Sequence, residues 1–277
     1  MRENPTSQSS HSCGGYLFLL VVLILAVYGN TFHAAWHLDD RTNILDNANV
    51  HVTRLSIEEW SRSMIPPFSD PDKVMPGVSG LYRPVAMLTF ALNWLIGGAD
   101  VFGYHVVNIG LHCLTAILLF FTCLKLLAVP NMRGRYNEND CFIAFWAVAL
   151  WALHPIQTQA VTYIVQRMAL LAALFYLAGI WFYSQGKNTA SVGKKTLFFG
   201  LGLVSSLLAV VSKQNAITLP LAWMLLEIIF YKPQGGWKKV CVGKKEVAIA
   251  LGLAVFFIFI VFNWRSDPWS AIMQGYH

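Results

Sequence analysis

Long uncharged apolar runs alternate with short polar or basic connectors along most of the chain. The first run, 16–30 (YLFLLVVLILAVYGN), approaches the ~20 residues that cross a bilayer. Further runs follow at 104–127, 142–153, 168–183, 197–211, 217–231 and 247–262. Several are shorter than a full span, which implies a thinned or polar-lined interior. No small-residue cleavage site follows the first run and more apolar segments come later, so it reads as an uncleaved anchor. The pattern predicts an all-α polytopic membrane protein with about seven transmembrane helices.

The basic connectors orient these helices. Arg133 and Arg135 mark one loop, Lys187, Lys194 and Lys195 a second, and Lys232, Lys238, Lys239, Lys244 and Lys245 a third. Lysine and arginine favour the cytoplasmic side, and all three loops reach it together if the chain crosses seven times. Residues 1–15 then form a cytoplasmic tail and 16–263 the membrane domain. Residues 32–102 become a large outer loop, and 264–277 begin another. The apolar stretch 84–96 falls inside the first outer loop and reads as a half-buried interfacial helix. If it spanned, every later loop would reverse, against the charge bias. A second interfacial helix is expected at 56–64, with Ser56 as N-cap and Glu58 and Glu59 in its first turn. Pro66, Pro67, Pro71 and Pro76 make a connector.

Composition agrees: 56% of the 277 residues are hydrophobic and 12% are charged, against roughly 25% charged in soluble domains. The net charge of +6 sits in the connectors, as topology requires, so no nucleic-acid partner is expected. Cys13, Cys113, Cys123, Cys141 and Cys241 fall on the cytoplasmic side or within helices, where disulfides are not expected. None has metal-site spacing. No glycine-rich phosphate loop supports ATP-driven transport. Trp94, Trp151, Trp181, Trp237 and Trp264 suit an interfacial belt.

With this topology the unusual polar residues collect at the outer face. Asp39 and Asp40 follow the first span, at a helix C-terminal end where negative charge is disfavoured, which marks them as candidate catalytic groups. Arg83 precedes the interfacial helix. His105, Asn108 and His112 follow i, i+3, i+7 spacing and share one helix face; His112, the deepest, reads as an interhelical hydrogen-bonding residue. His154 and Gln159 begin another span, with Arg167 deeper. Arg167 either snorkels to the interface or is paired or functional. Lys213 is either a charged turn residue or part of the site.

Several stretches together resemble a known family: Leu38-Asp39-Asp40, Tyr82-Arg83-Pro84-Val85, residues 102–108 (FGYHVVN), Leu153-His154-Pro155, residues 160–164 with Arg167, Ser212-Lys213, and residues 217–220 (ITLP). In this order they are similar to the membrane part of O-mannosyltransferase-type proteins that carry C-terminal tetratricopeptide repeats, within the GT-C class of lipid-phosphosugar-dependent glycosyltransferases. The resemblance implies a GT-C-like helical fold, an active site facing away from the cytoplasm and a polyprenyl- or dolichyl-phosphate sugar donor. Gln159 and Gln214 stand where many relatives are expected to carry Glu. Relatives continue into more spans and repeats, so the chain reads as an N-terminal portion.

The mechanism that follows is inverting transfer of a sugar, mannose by resemblance, from the lipid phosphate to a hydroxyl acceptor on a protein or glycan. Asp39 or Asp40 would be the base. Arg83, Arg167 and Lys213 would hold the lipid phosphate, with His105, Asn108 and His154 lining the substrate site. A divalent metal beside the acidic pair is compatible with carboxylate ligands, but no complete ligand set is visible. Membrane lipid is the other expected partner. The location would be a bacterial inner membrane or, in a eukaryote, the endoplasmic reticulum. The competing reading is a catalytically silent membrane module that binds lipid or protein.

Overall fold

The structure, a computed structural model, describes residues 9–64, 83–129, 132 and 139–231. The expected span at 247–262, the proline connector, Cys241 and the basic residues at 133–135 and 232–245 lie outside the described residues. Every regular element among the described residues is helical: α1 (Ser9–Tyr28), α2 (Ile57–Ser63), α3 (Pro84–Gly97), α4 (Val101–Leu127), α5 (Asp140–Ala152), α6 (Gln157–Thr162), α7 (Arg167–Asn188), α8 (Val192–Ser212) and α9 (Leu219–Leu226), joined by short 3-10 and π-helical turns.

Five stretches among the described residues are long and apolar enough to cross a membrane: Cys13–His33, Val101–Leu127, Ile164–Asn188, Val192–Ser212 and Gln214–Tyr231. The chain is an all-α polytopic membrane protein. The helices outrun the apolar windows because their polar flanks, such as Ser184 to Asn188, contain no proline and continue the backbone hydrogen bonding. At 1.5 Å per residue, α7 reaches about 33 Å. α1 likewise begins at Ser9, ahead of the expected start at 16. α5 is different: its 13 residues make about 20 Å, short of the ~30 Å hydrocarbon core. Pro155 stops it from propagating, because a proline disfavours helical backbone in the residue before it.

Neighbour contacts give the helices their directions. Tyr28 Oη donates to the carbonyl of Ala152 at 3.1 Å, and Cys13 lies beside Cys141, so α1 and α5 run parallel. One end of the bundle therefore gathers the C-termini of α1, α5 and α8 and the N-termini of α4 and α7. The opposite end carries Cys13, Cys141 and the Lys187–Glu227 ion pair at 2.9 Å. Cys13 and Cys141 form a disulfide with Cα atoms 5.4 Å apart, which corrects the expectation of free thiols for this pair. The packing of two helices 128 residues apart brings them together, a juxtaposition that spacing along the chain cannot show. Cys113 and Cys123 are free and half-buried.

Two apolar cores matter to the site. Leu20, Ile24, Phe120, Phe145 and Val148 lock α1, α4 and α5. Ile44, Val50, Phe90, Tyr104, Ile164 and Met168 clamp the loop after α1, together with α3, onto α4 and α7. α2 forms as expected, with the Ser56 hydroxyl accepting from Glu59 N–H at 3.2 Å. α3, 14 residues long, is too short to span at about 21 Å. Arg83, at its N-cap, touches Met168, while Thr89 and Asn93 touch Arg167. Contacts spread along α3 thus converge on adjacent residues of α7, so α3 crosses the end of the bundle.

Candidate functional site

One irregular turn, Tyr163 to Met168, organises this end of the molecule. Its strand-like entry at Tyr163 (φ −84°, ψ 111°) breaks the helix between α6 and α7. Five of its six residues each reach a different polar partner. Tyr163 meets Asp39, Val165 meets Asp40, Gln166 meets Lys213, Arg167 meets Asn93 and Asn108, and Met168 meets Arg83.

The acidic pair is split by this arrangement. Asp40 is fully buried. Its Oδ1 accepts from Val165 N–H at 2.7 Å and its Oδ2 from His37 N–H at 3.0 Å. Burial raises its carboxyl above the ordinary value, against the two N–H donors, which favour the carboxylate. Asp39 is exposed. Its N–H donates to Tyr163 Oη at 2.9 Å, and its carbonyl accepts from Asn43 Nδ2 at 2.8 Å. Burial pushes the Tyr163 phenol up, and the charges of Asp39 and Asp40 push the same way. Asp40 therefore anchors the turn, while Asp39 faces outward.

Behind the pair, Arg167 is completely enclosed. Nε donates to Asn108 Oδ1 at 2.8 Å, Nη1 to Asn93 Oδ1 at 2.6 Å and to the carbonyl of Thr89 at 3.1 Å, and Nη2 to the carbonyl of Tyr104 at 3.1 Å. The guanidinium also lies over Phe90, 4.7 Å from the ring centroid. All of these partners are neutral. The sequence expectation placed Arg167 among phosphate ligands; in the structure its donors are turned onto protein groups inside the fold.

The polar face of α4 has a consistent task. His105 Nε2 meets the carbonyl of Ala34 at 3.1 Å, and His112 Nε2 meets that of Ala152 at 2.9 Å. Asn108 Nδ2 lies 3.3 Å from the carbonyl of Ile164. The carbonyls of Ala34 and Ala152 lie at or beyond the end of a helix, where regular helical donors run out, while that of Ile164 opens the 3-10 turn and also accepts from Arg167 N–H. Unsatisfied backbone at membrane depth costs several kcal/mol, so this stripe makes the broken helices tolerable. A carbonyl acceptor requires the Nε2–H tautomer of both histidines.

The cations that remain accessible are Arg83 and Lys213. Arg83 Nη1 touches Met168 Sδ at 2.7 Å, and its buried Nε has no hydrogen-bond partner among the described residues. Lys213 Nζ donates to Gln166 Oε1 at 3.1 Å. Burial lowers the pKa of both, and the Arg83 charge lowers that of Lys213 further. Among the described residues no carboxylate pairs with either. Beside Lys213, Asn215 and Thr218 border an apolar groove of about 460 Å³ whose walls include Leu119, Trp151, Ala172 and Tyr176.

The turn thus brings Asp39, Asp40, Arg83, Arg167 and Lys213 around one segment, with His105 and Asn108 behind it. His154 stands apart: it is exposed, and its Nδ1 accepts from Ile156 N–H at 3.1 Å, closing its own turn. No group of three or more His, Cys, Asp or Glu side chains suited to a metal occurs among the described residues. Sequence reasoning missed Tyr163, Gln166, Thr89 and Asn93 as site-building residues. A polar residue within an apolar stretch, as at Asn93 and Gln166, was the available signal.

Fold and site define a polytopic helical membrane protein with acidic and basic groups converging at one end of the bundle. Comparison with characterised proteins gives the relationship: the chain is a homologue of the TMTC protein O-mannosyl-transferases. It is 31% identical over 247 residues to Protein O-mannosyl-transferase Tmtc1 of Drosophila melanogaster, covering 87% of this chain and 26% of that protein. Drosophila Tmtc2 is 32% identical over 214 residues, 75% of this chain and 21% of its own length. Human TMTC1 is 36% identical over 143 residues, 50% of this chain and 15% of its own. The chain thus spans about a quarter or less of these relatives. No family model matches the chain, and no solved structure does.

Proposed function

We propose that this end of the bundle transfers mannose from a polyprenyl- or dolichyl-phosphate donor to a hydroxyl of a protein, on the non-cytoplasmic face of the membrane, as a GT-C-type glycosyltransferase. The observation that carries the reading is the pair Arg83 and Lys213. Two partly buried cations lie close together with no described carboxylate, and they are joined through one turn to the outward carboxylate of Asp39. A desolvated pair of positive charges favours an anion far more than surface charges would.

In the reaction the acceptor oxygen attacks the anomeric carbon, its proton passes to Asp39, and the bond from that carbon to the phosphate oxygen breaks with inversion. The leaving lipid phosphate keeps the bonding electrons, and Arg83 and Lys213 stabilise its charge. Asp40 and Arg167 hold the turn that aligns these groups. The groove beside Lys213 takes the first part of the prenyl chain; its volume falls within the ~300–1,000 Å³ of small-molecule sites.

The test is binding of dolichyl phosphate, which lacks the sugar, to the protein in nanodiscs. Replacing both cations, Arg83→Met with Lys213→Met, should weaken binding by at least ~10-fold, because charge-assisted hydrogen bonds contribute about 1.5–3 kcal/mol each. Unchanged affinity in the double variant would exclude this phosphate site.

A further inference from the structure

We infer that Leu38 is a specificity-determining contact for the acceptor, reading an apolar residue next to the hydroxyl that is modified; this rests on the transfer reading above. Leu38 has φ +33°, the sole positive φ of a non-glycine residue among the described residues. Leucine disfavours that region because its Cβ crowds the following carbonyl, and unlike asparagine it has no polar group to compensate. The turn allows no relaxation. Asp40 N–H donates to the carbonyl of His37 at 2.8 Å, Arg41 N–H to that of Leu38 at 3.2 Å, and His37 N–H to Asp40 Oδ2. Asp40 is itself fixed to Val165.

The fold therefore demands this backbone conformation, which glycine would adopt freely. It does not demand the side chain, which is 84% exposed and joins no apolar core among the described residues. A strained residue over-determined by its surroundings and lying beside a reactive group points to function. Among the described residues nothing covers it, and a bound molecule is the partner the inference assigns to it.

Position identifies that partner. For Asp39 to take the acceptor proton, the hydroxyl oxygen must come within about 2.6–3.2 Å of its carboxylate. Leu38 is the adjacent residue, its Cα about 3.8 Å from that of Asp39, and both side chains are exposed. A polypeptide presenting serine or threonine to Asp39 brings its neighbouring side chains against Leu38. An apolar neighbour would bury both surfaces, whereas a charged one would be desolvated without a partner.

The test measures binding of two serine-containing peptides to the full chain in nanodiscs without donor. One has leucine flanking the serine and the other aspartate; transfer by the unsubstituted protein is followed alongside. The unsubstituted protein should prefer the leucine peptide by ~10-fold or more, the scale of a few methylenes in an apolar contact. Leu38→Gly should abolish that preference without lowering Tm, because it relieves the turn, and Leu38→Met should retain it. Loss of preference in Leu38→Gly establishes the peptide contact at Leu38; if the unsubstituted protein then shows no transfer, it is the transferase reading that fails, and the contact stands as one of binding alone. The inference is overturned if the unsubstituted protein shows no preference, if Leu38→Gly retains it or weakens both peptides equally, or if its Tm falls.

Discussion

An aspartate that accepts backbone N–H bonds on both carboxylate oxygens cannot become asparagine without turning one acceptor into a donor. Asp40 is in that position, between His37 and Val165. Asp40→Asn should therefore lower thermal stability by about 1–3 kcal/mol, the usual cost of one unsatisfied buried group, as read by unfolding in detergent; an unchanged Tm would deny its anchoring role. Lys213 offers a pH test. Its folded pKa is depressed by burial and by Arg83, so the protonated form that holds an anion is lost at lower pH than for an ordinary lysine near ~10.4. Dolichyl phosphate binding should thus be level near neutral pH and weaken as pH rises toward that value. Lys213→Arg should flatten the decline, because guanidinium stays charged. The sequence makes both acidic residues legible as unusual at the end of a span. It does not separate them, because the distinction lies in one peptide N–H, that of Val165, 125 residues away.

Among elements, α4 shows what periodicity can and cannot reveal. The i, i+3, i+7 spacing of His105, Asn108 and His112 predicts one shared polar face, and all three are buried. Their partners are carbonyls of Ala34, Ile164 and Ala152, which no side-chain pattern can signal. Asn108 also accepts from Arg167, so Asn108→Leu leaves a buried guanidinium N–H without its acceptor and takes a donor from the carbonyl of Val161. It should cost about 3 kcal/mol or more, given about 1–3 kcal/mol per unsatisfied group and more for charged ones. Donor affinity of the fraction that remains folded should change little. A variant that melts normally but loses donor would instead make Asn108 a ligand. Arg167 was legible as an ionisable residue within an apolar stretch, while its neutral cage was not, because Thr89 and Asn93 come from a separate helix 78 and 74 residues earlier.

For the whole molecule, alternating helix directions place the acidic turn, Arg83 and Lys213 at the same end, as the loop charges imply. In the proposed orientation the opposite end faces the cytoplasm, where the Cys13–Cys141 disulfide is unexpected. Labelling a single cysteine at position 190, in an otherwise cysteine-free chain, decides the orientation. That cysteine should be reached from the cytoplasm and protected from outside, and the reverse would invert the bundle. The long spans were legible from apolar length, and so was the short run at 142–153 that becomes α5; the return of the chain through α6 was not, because it depends on tertiary support for broken backbone. The central claim is that the outward carboxylate of Asp39 takes the acceptor proton during mannosyl transfer. Its most direct test is the rate of mannose transfer from a dolichyl-phosphate donor to a serine-containing peptide by the unsubstituted protein and by Asp39→Asn. The former should transfer measurably and the latter should lose ~10²-fold or more, with Tm and donor binding unchanged. Full turnover by Asp39→Asn would contradict it.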